Sequence, residues 1–354
     1  MEKKMHKKTN NSIDFFKAIA CIGVVLIHCR FPGAAGILVR TIARFAVPLF
    51  TMISGFYLIS SETEMVDTTR LKGKIKHILK LIVGAEVFAF IFFSIGDIIS
   101  KNTLDFVILK YTDVARWIKF VWDNTPLSYT HFWYLYALLY CYVAAFFVGK
   151  VKDRVGGRAV IISAVVLFGI FYSMSAVSNM GLPLDFKISV GREDNISALY
   201  NLFLFRSVPF FLIGIAMRIY EQKFKNCELL SKRNIMIIMM IGGLLSIAER
   251  LILGDIQIFI GTSLMVVAIF SYCIKYPDGI NKQVERIGKN LSMYVYIIHV
   301  SVMEVVNWLG KVMGIYNLTA FQWVRPIIVI MISLLCAAFV YEFKIKMTKK
   351  SMAI

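Results

Sequence analysis

Ten apolar runs, separated by short polar segments, follow one another along the chain. Each run is long enough to cross the hydrocarbon core of a bilayer, which takes roughly 17 to 25 residues of helix. The pattern therefore predicts an all-α integral membrane protein, a bundle of about ten transmembrane helices. The predicted spans lie near residues 13–29, 36–60, 77–100, 131–149, 159–177, 198–217, 234–253, 256–274, 289–312 and 324–343. The shortest connection falls at Gly254 and Asp255, between the seventh and eighth spans.

The charged residues predict the orientation of this bundle. Of 354 residues, 58% are hydrophobic and 18% are charged, yet 40 Lys and Arg stand against 22 Asp and Glu, a formal charge of +18. With the N-terminus in the cytoplasm, 25 of the 40 basic residues fall in cytoplasmic segments and eight in external loops. Because Lys and Arg concentrate in cytoplasmic loops, both termini are predicted to be cytoplasmic. The positive charge is a topology signal, so no nucleic-acid partner is expected.

The predicted organisation is a basic cytoplasmic N-terminus at 1–12, a membrane domain at 13–343 and a basic cytoplasmic tail at 344–354. A cleaved signal peptide is the alternative interpretation of the first span, but Asp14 and Lys17 lie inside its apolar stretch and argue against it. The six cysteines are scattered without metal-ligand spacing, so neither a disulfide framework nor a metal site is predicted.

The first span carries an ordered row of polar side chains. Asp14, Lys17, Cys21 and His28 stand at relative positions 0, 3, 7 and 14. At about 100° per residue these positions form one stripe of a helix, some 21 Å long. Ionisable groups at membrane depth are costly and usually face an interior cavity, so this stripe is the leading candidate for a site.

Further polar residues accompany the other predicted spans. Most map to the outer half or the midplane of the bilayer, so the site is expected to open outward. They are Arg40 and Arg44 in the second span, His131, Trp133 and Tyr134 at the start of the fourth, Arg206 in the sixth, Glu249 and Arg250 in the seventh, and Ser292, Tyr296 and His299 in the ninth.

This set of side chains suits acyl transfer. A neutral imidazole can remove a proton from a hydroxyl as it attacks a carbonyl, and neighbouring cations stabilise the oxyanion that follows. Positive charge nearby also lowers the pKa of a histidine, which keeps the ring unprotonated near neutral pH.

Several segments resemble a known family. Asp14, Lys17 and His28 are spaced as in the opening signature of the acyltransferase 3 family of bacterial membrane O-acyltransferases, which has Asp, Arg and His at these positions. Four later segments are similar to family segments in the same order. They are RFAVPLFTMISGF at 44–56, HFWYL at 131–135, RSVPFFLIG at 206–214 and SMYVYIIH at 292–299.

The resemblance implies an enzyme of about ten helices in the bacterial cytoplasmic membrane. It implies transfer of an acyl group from cytoplasmic acyl-CoA, with acetyl-CoA expected first, to a hydroxyl of a cell-envelope sugar or glycan. Acyl-CoA is a co-substrate, and no permanently bound cofactor is expected.

His28 matches the family's essential histidine, the expected general base, and Lys17 matches its arginine. A lysine keeps the charge but lacks the planar fork of arginine. The other expected catalytic residues are Asp14 and Arg44.

The resemblance also suggests where donor and acceptor bind. The family has an Arg-x-x-Arg type motif in the cytoplasmic loop after the second helix, and this chain has a basic segment there without that spacing. Its charges are expected to meet the phosphates of CoA, although the topology rule explains them equally well. The residues of this segment are Arg70, Lys72, Lys74 and Lys76. The expected acceptor contacts are His131, Trp133, Tyr134, Arg206 and His299.

Structural interpretations stand beside these roles. His28 could be a core histidine, and His299 could belong to a helix-packing stripe. Lys17 could extend its amine to the inner interface, and Arg44 could pair with an acidic residue of the bundle. His131 could be part of an interfacial aromatic belt.

Three classes of function therefore remain in view. The first is a membrane O-acyltransferase, and the second is a transporter of a small polar or anionic solute. Pro48 and Pro209 interrupt two spans, as in transporters, but no repeat relates the two halves of the chain. A scaffold without chemistry does not explain the stripe of Asp, Lys and His. The acceptor and the acyl chain length are not defined by the sequence.

Overall fold

A computed structural model describes residues 10–59, 65–101, 104–151, 156–180 and 202–352. Within these ranges the protein is helical without β-strands, and Ile59 and Val66 form one isolated bridge. Residues 1–9 of the predicted N-terminus and 198–201 of the sixth predicted span lie outside the described residues. The helices are α1 (Asn11–His28), α2 (Gly33–Ala43), α3 (Ala46–Phe56), α4 (Thr68–Lys101), α5 (Asp105–Thr112), α6 (Val114–Asp123), α7 (Trp133–Val151), α8 (Gly157–Asn179), α9 (Phe203–Arg206), α10 (Val208–Ile219), α11 (Glu221–Asn226), α12 (Lys232–Leu253), α13 (Ile260–Lys275), α14 (Lys282–Asn290), α15 (Ser292–Val312) and α16 (Thr319–Met352).

Eight helical stretches in the described ranges are long and apolar enough to cross a membrane. They confirm an all-helical membrane architecture and coincide with predicted spans one to five, seven, nine and ten. The predicted count of ten is not confirmed. The eighth predicted span is the shorter helix Ile260–Lys275, of 16 residues, and the described part of the sixth contains Val208–Ile219, of 12 residues.

The second predicted span, at 36–60, is not one continuous helix. It is divided into α2 and α3, with Arg44 as the C-terminal cap residue of α2. Pro48 lies in the first turn of α3 and has no N–H with which to continue the hydrogen-bond ladder back to the Arg44 carbonyl. The proline therefore explains the break that apolar length alone did not predict.

The basic segment that was predicted to be a loop is helical. It lies in the first turns of α4, which starts at Thr68 rather than near residue 77. Asp67 acts as the N-terminal cap, because its side chain accepts a hydrogen bond from the backbone N–H of Arg70 at 2.9 Å. With this cap the polar segment forms the start of a helix, although its composition predicted a loop.

The chain divides into two compact units. The first unit comprises Met1–Phe50, Gln222–Glu249 and Ile260–Ile354, and the second comprises Thr51–Glu221 and Arg250–Phe259. In the first unit, residues of α1, α15 and α16 form a core around Cys21, Val25, Val295 and Val329. In the second unit, α3 and α10 cross closely at Gly55 and Gly214.

Glu249 is a buried carboxylate with a structural role in the first unit. Its two carboxylate oxygens accept hydrogen bonds from the backbone N–H groups of Ile260 and Gly261, at 2.9 and 2.8 Å. These are the first residues of α13, so Glu249 satisfies donors that a helix start leaves open and lies at the positive end of the helix dipole.

We expect Glu249→Ala to lower the free energy of unfolding by about 1 to 3 kcal/mol, because it leaves two buried donors without their acceptor. Thermal unfolding of the full chain in detergent measures this loss. Glu228→Ala, which removes an exposed carboxylate, is the matched control. Equal melting temperatures for the two variants would contradict the capping role.

Candidate functional site

Helix α1 packs side by side with α14 and α15 in the first unit. A Cβ atom on Gly288 of α14 would overlap the backbone carbonyl of Asp14 on α1. The two helices α1 and α14 therefore approach too closely at this point for any residue larger than glycine. Further along, the Cys21 thiol donates to the Ser292 carbonyl at 3.7 Å. Two residues of the predicted stripe, Asp14 and Cys21, therefore lie where α1 contacts α14 and α15.

His28 and His299 meet about two turns beyond this contact. Their ring centroids are 5.2 Å apart, and the ring planes are inclined by 56°. His28 is seven residues after Cys21 and His299 is seven residues after Ser292, about 10.5 Å on each helix. Helices α1 and α15 run in the same direction, and Cys21 lies beside Ser292. Seven residues further along each helix, the two histidines therefore also lie side by side.

The two rings have different surroundings. His28 is exposed, whereas His299 is only 1% exposed. His299 Nδ1 lies 3.1 Å from the Val295 carbonyl and 2.8 Å from the Tyr296 carbonyl. Carbonyl oxygens only accept, so we assign the proton to Nδ1. The neutral ring then has its lone pair on Nε2.

Lys17 and Asp14 lie at the other end of the stripe. Lys17 Nζ is 3.1 Å from Asp14 Oδ1, and the two side chains are mostly buried. Eleven residues separate Lys17 from His28, about 16 Å along the axis of α1. The structure therefore brings Lys17 to Asp14 and keeps it away from the histidine pair.

A cation that the sequence analysis did not select lies close to the histidine pair. Arg325 on α16 lies beside the thiol of Cys29, the residue after His28. Its Nη1 is also 3.3 Å from Asn307 Oδ1 and 3.4 Å from the Tyr316 hydroxyl. The available signal was an Arg-Pro dipeptide inside an apolar run, without a motif around it.

The predicted acceptor-binding residues of the second unit include one pair of a cation and an aromatic ring. The Arg206 guanidinium lies 3.6 Å from the centroid of the Trp133 ring, a close cation–π contact. His131 is 3% exposed, with ring centroids of Tyr129 and Phe132 at 5.3 and 4.5 Å. Tyr134 is also buried.

The predicted donor residues are spread along the start of α4. Arg70 is 3.8 Å from Asp67, and Lys76 is exposed. Lys74 donates to the Tyr57 carbonyl at 2.9 Å, and Lys72 lies over the Phe146 ring at 5.9 Å. Lys74 thus caps a carbonyl group that follows α3, while Arg70 and Lys76 are exposed. 

Glu86 is a second residue that sequence reasoning missed. Its carboxylate accepts hydrogen bonds from the hydroxyls of Tyr136 and Tyr111, the latter at 3.1 Å. Burial, followed by the Glu86 charge, raises the pKa of Tyr111, which keeps its hydroxyl protonated as a donor. An acidic residue in the middle of the apolar run at 77–100 was the available signal. The network joins α4, α5 and α7 of the second unit.

Comparison with known proteins gives one match. A family model described as "Acyltransferase domain" matches residues 10–342, nearly the whole chain. No curated protein and no solved structure matches it. In the described part of the chain, no group of three or more His, Cys, Asp or Glu residues has the arrangement of a metal site.

Proposed function

Because the chain belongs to the acyltransferase 3 family, we propose that this membrane acyltransferase moves an acyl group from acyl-CoA to a hydroxyl of a cell-envelope sugar or glycan. Acetyl-CoA is the first candidate donor, and the bacterial cytoplasmic membrane is the proposed location. The observation that carries the proposal is the pairing of His28 with His299. An exposed imidazole backed by a buried neutral one is suited to proton transfer.

In the proposed reaction His28 is the general base. It takes the proton of the acceptor hydroxyl while that oxygen attacks the thioester carbonyl carbon, and a tetrahedral oxyanion forms. The carbon–sulfur bond then breaks, and the proton passes from His28 to the CoA thiolate. Arg44 is the proposed cation that stabilises the developing negative charge. The Nδ1–H group of His299 donates to backbone carbonyls. Its Nε2 atom is therefore the proposed hydrogen-bond acceptor for a group on the molecule that receives the acyl group.

The proposed topology places both termini in the cytoplasm, on the evidence of the basic residues. In this orientation His28, at the C-terminal end of α1, lies toward the external face, and the Asp14–Lys17 pair lies toward the cytoplasm. We assign the pair to the donor side. The exposed Arg70 and Lys76 side chains are the proposed contacts for CoA phosphates, as point charges.

The Arg206–Trp133 stack is the proposed acceptor contact of the second unit. Arg206→Lys keeps the charge but loses the planar stacking surface. We expect acyl transfer to fall about tenfold, a loss of the size of one cation–π contact, with the amount of folded protein unchanged. Arg158→Lys, at an exposed position of α8, is the control. Equal transfer by both variants would mean that the stack only supports packing.

The proposed function is tested by acyl transfer from radiolabelled acetyl-CoA into envelope material, in membranes prepared with or without the protein. Label that depends on the protein supports an acyltransferase acting on an envelope acceptor. The transporter hypothesis predicts the opposite result, with uptake or export of a solute dependent on the protein and no label in the envelope fraction.

A further inference from the structure

Arg325 is a charged residue in an apolar helix whose described partners are all neutral. They are the Asn307 amide oxygen and the Tyr316 hydroxyl, and the Cys29 thiol lies beside them. Among the described ion pairs, none joins the guanidinium to a carboxylate. Charged side chains within membrane-spanning helices usually pair with an opposite charge or mark a substrate pathway.

The guanidinium also has donor capacity left over. Its Nε atom is completely buried and has no hydrogen-bond acceptor among the described residues. A buried donor without an acceptor is costly, and more so on a charged group. Arginine presents its N–H groups in a planar fork that matches carboxylate and phosphate oxygens. A carboxylate or phosphate oxygen is therefore the kind of acceptor that suits this donor.

The position of Arg325 favours the acyl acceptor as the source of that group. The ring of Phe31, three residues after His28, lies 5.9 Å from that of Trp323, two residues before Arg325, so Arg325 and His28 lie at the same end of the first unit. In the proposed topology this end faces outward, whereas the phosphates of CoA lie on the cytoplasmic side. Near the start of α16, Arg325 is six residues from Thr319, about 9 Å along the axis, which is within reach of a polar molecule at the membrane surface.

We propose that Arg325, with Asn307 and Tyr316, binds a carboxylate or phosphate group of the acceptor, and that the acceptor is therefore an anionic sugar. This inference rests on the proposed function, because it takes the molecule bound beside His28 to be the acyl acceptor. Asn307 and Tyr316 hold the guanidinium from one side, and the site selects acceptors whose charge lies near the hydroxyl that is acylated.

Binding without an acyl donor tests this proposal directly. The purified full chain is titrated with methyl β-D-glucuronide and glucose 6-phosphate, and with methyl β-D-glucoside as the neutral control. Thermal stabilisation at increasing sugar concentration reports the affinity. We expect at least one anionic sugar to bind about tenfold more tightly than the glucoside, the size of one charge-assisted hydrogen bond. Arg325→Gln should abolish this preference, Arg325→Lys should keep part of it, and Arg286→Gln, at an exposed position of α14, should leave it unchanged.

The other outcomes overturn the proposal. One is the absence of any preference in the wild-type protein, and another is a preference that survives Arg325→Gln. A preference seen in maltoside micelles but lost in phosphatidylglycerol nanodiscs would assign the site to a lipid headgroup. If Arg325→Gln slowed acyl transfer but left sugar binding unchanged, Arg325 would be a partner of the oxyanion rather than of the sugar. Because binding is measured without acyl-CoA, an Arg325-dependent preference in a protein that transfers no label would refute only the proposed function.

Discussion

In membranes that contain the His28→Ala variant, transfer of label from acetyl-CoA is expected to fall by about 10² to 10⁴-fold, the usual contribution of a general base. The alanine removes the only proposed proton acceptor at the end of α1. The free energy of unfolding should change little, because the His28 side chain is exposed. The neighbouring Cys29, which is completely buried, is left intact by the substitution. The measurement is the initial rate of labelling, normalised to the amount of protein in the membrane.

His77→Ala is the matched control for this prediction. His77 is an exposed histidine on α4, and no catalytic role is proposed for it. Its loss should leave the labelling rate within twofold of the wild type. If His28→Ala labels the acceptor as fast as His77→Ala does, then His28 is not the base, and another group must accept the proton.

A large loss of stability is expected from Gly214→Ala in the second unit. A Cβ atom on Gly214 would overlap the carbonyl oxygen of Met52 and lie 2.8 Å from its carbonyl carbon. The contact is reciprocal, since a Cβ atom on Gly55 would overlap the carbonyl oxygen of Phe211 and lie 2.9 Å from its carbonyl carbon. Helices in membranes gain stability from such close approach of small residues. We expect the free energy of unfolding to fall by on the order of 3 kcal/mol. This value lies in the upper part of the range for overpacking, because backbone atoms rather than side chains must move.

The measurement is the yield of monodisperse protein and its melting temperature in detergent. Gly169→Ala on α8 is the control, because a Cβ atom there meets nothing within 4 Å and alanine favours helix. Gly55→Ala should reproduce the defect of Gly214→Ala from the other side of the same contact. Yields and melting temperatures equal to those of Gly169→Ala would show that the crossing is looser than these distances indicate.

Much of the fold was predictable because apolar length is a local property. A run of some 20 apolar residues has few alternatives to a membrane helix, and eight of the ten predicted spans have long helices in the structure. The breaks were harder to predict because they depend on single groups. Pro48 divides the second span, and Asp67 starts α4 about nine residues before the apolar run.

The candidate site was predictable only along single helices. The stripe from Asp14 to His28 follows from the helical period, and α14 and α15 do pack against residues of that stripe. The period also places Lys17 and His28 on the same side of α1, but it cannot give them a common substrate atom, because the axial rise keeps them about 16 Å apart. The Lys17–Asp14 contact at 3.1 Å is local for the same reason.

The sequence by itself determined the helical membrane class and the positions of most spans, since both depend on the free energy of placing short segments in lipid. It also selected His28 and, through ordered motifs, the acyltransferase 3 family. Only the tertiary structure decided which groups meet. His299 reaches His28 because Gly288 lets α14 approach α1, and Arg325 reaches Cys29 from a helix almost 300 residues further along the chain. Contacts between distant segments depend on the packing of side chains from several helices, and no single stretch of sequence contains that information.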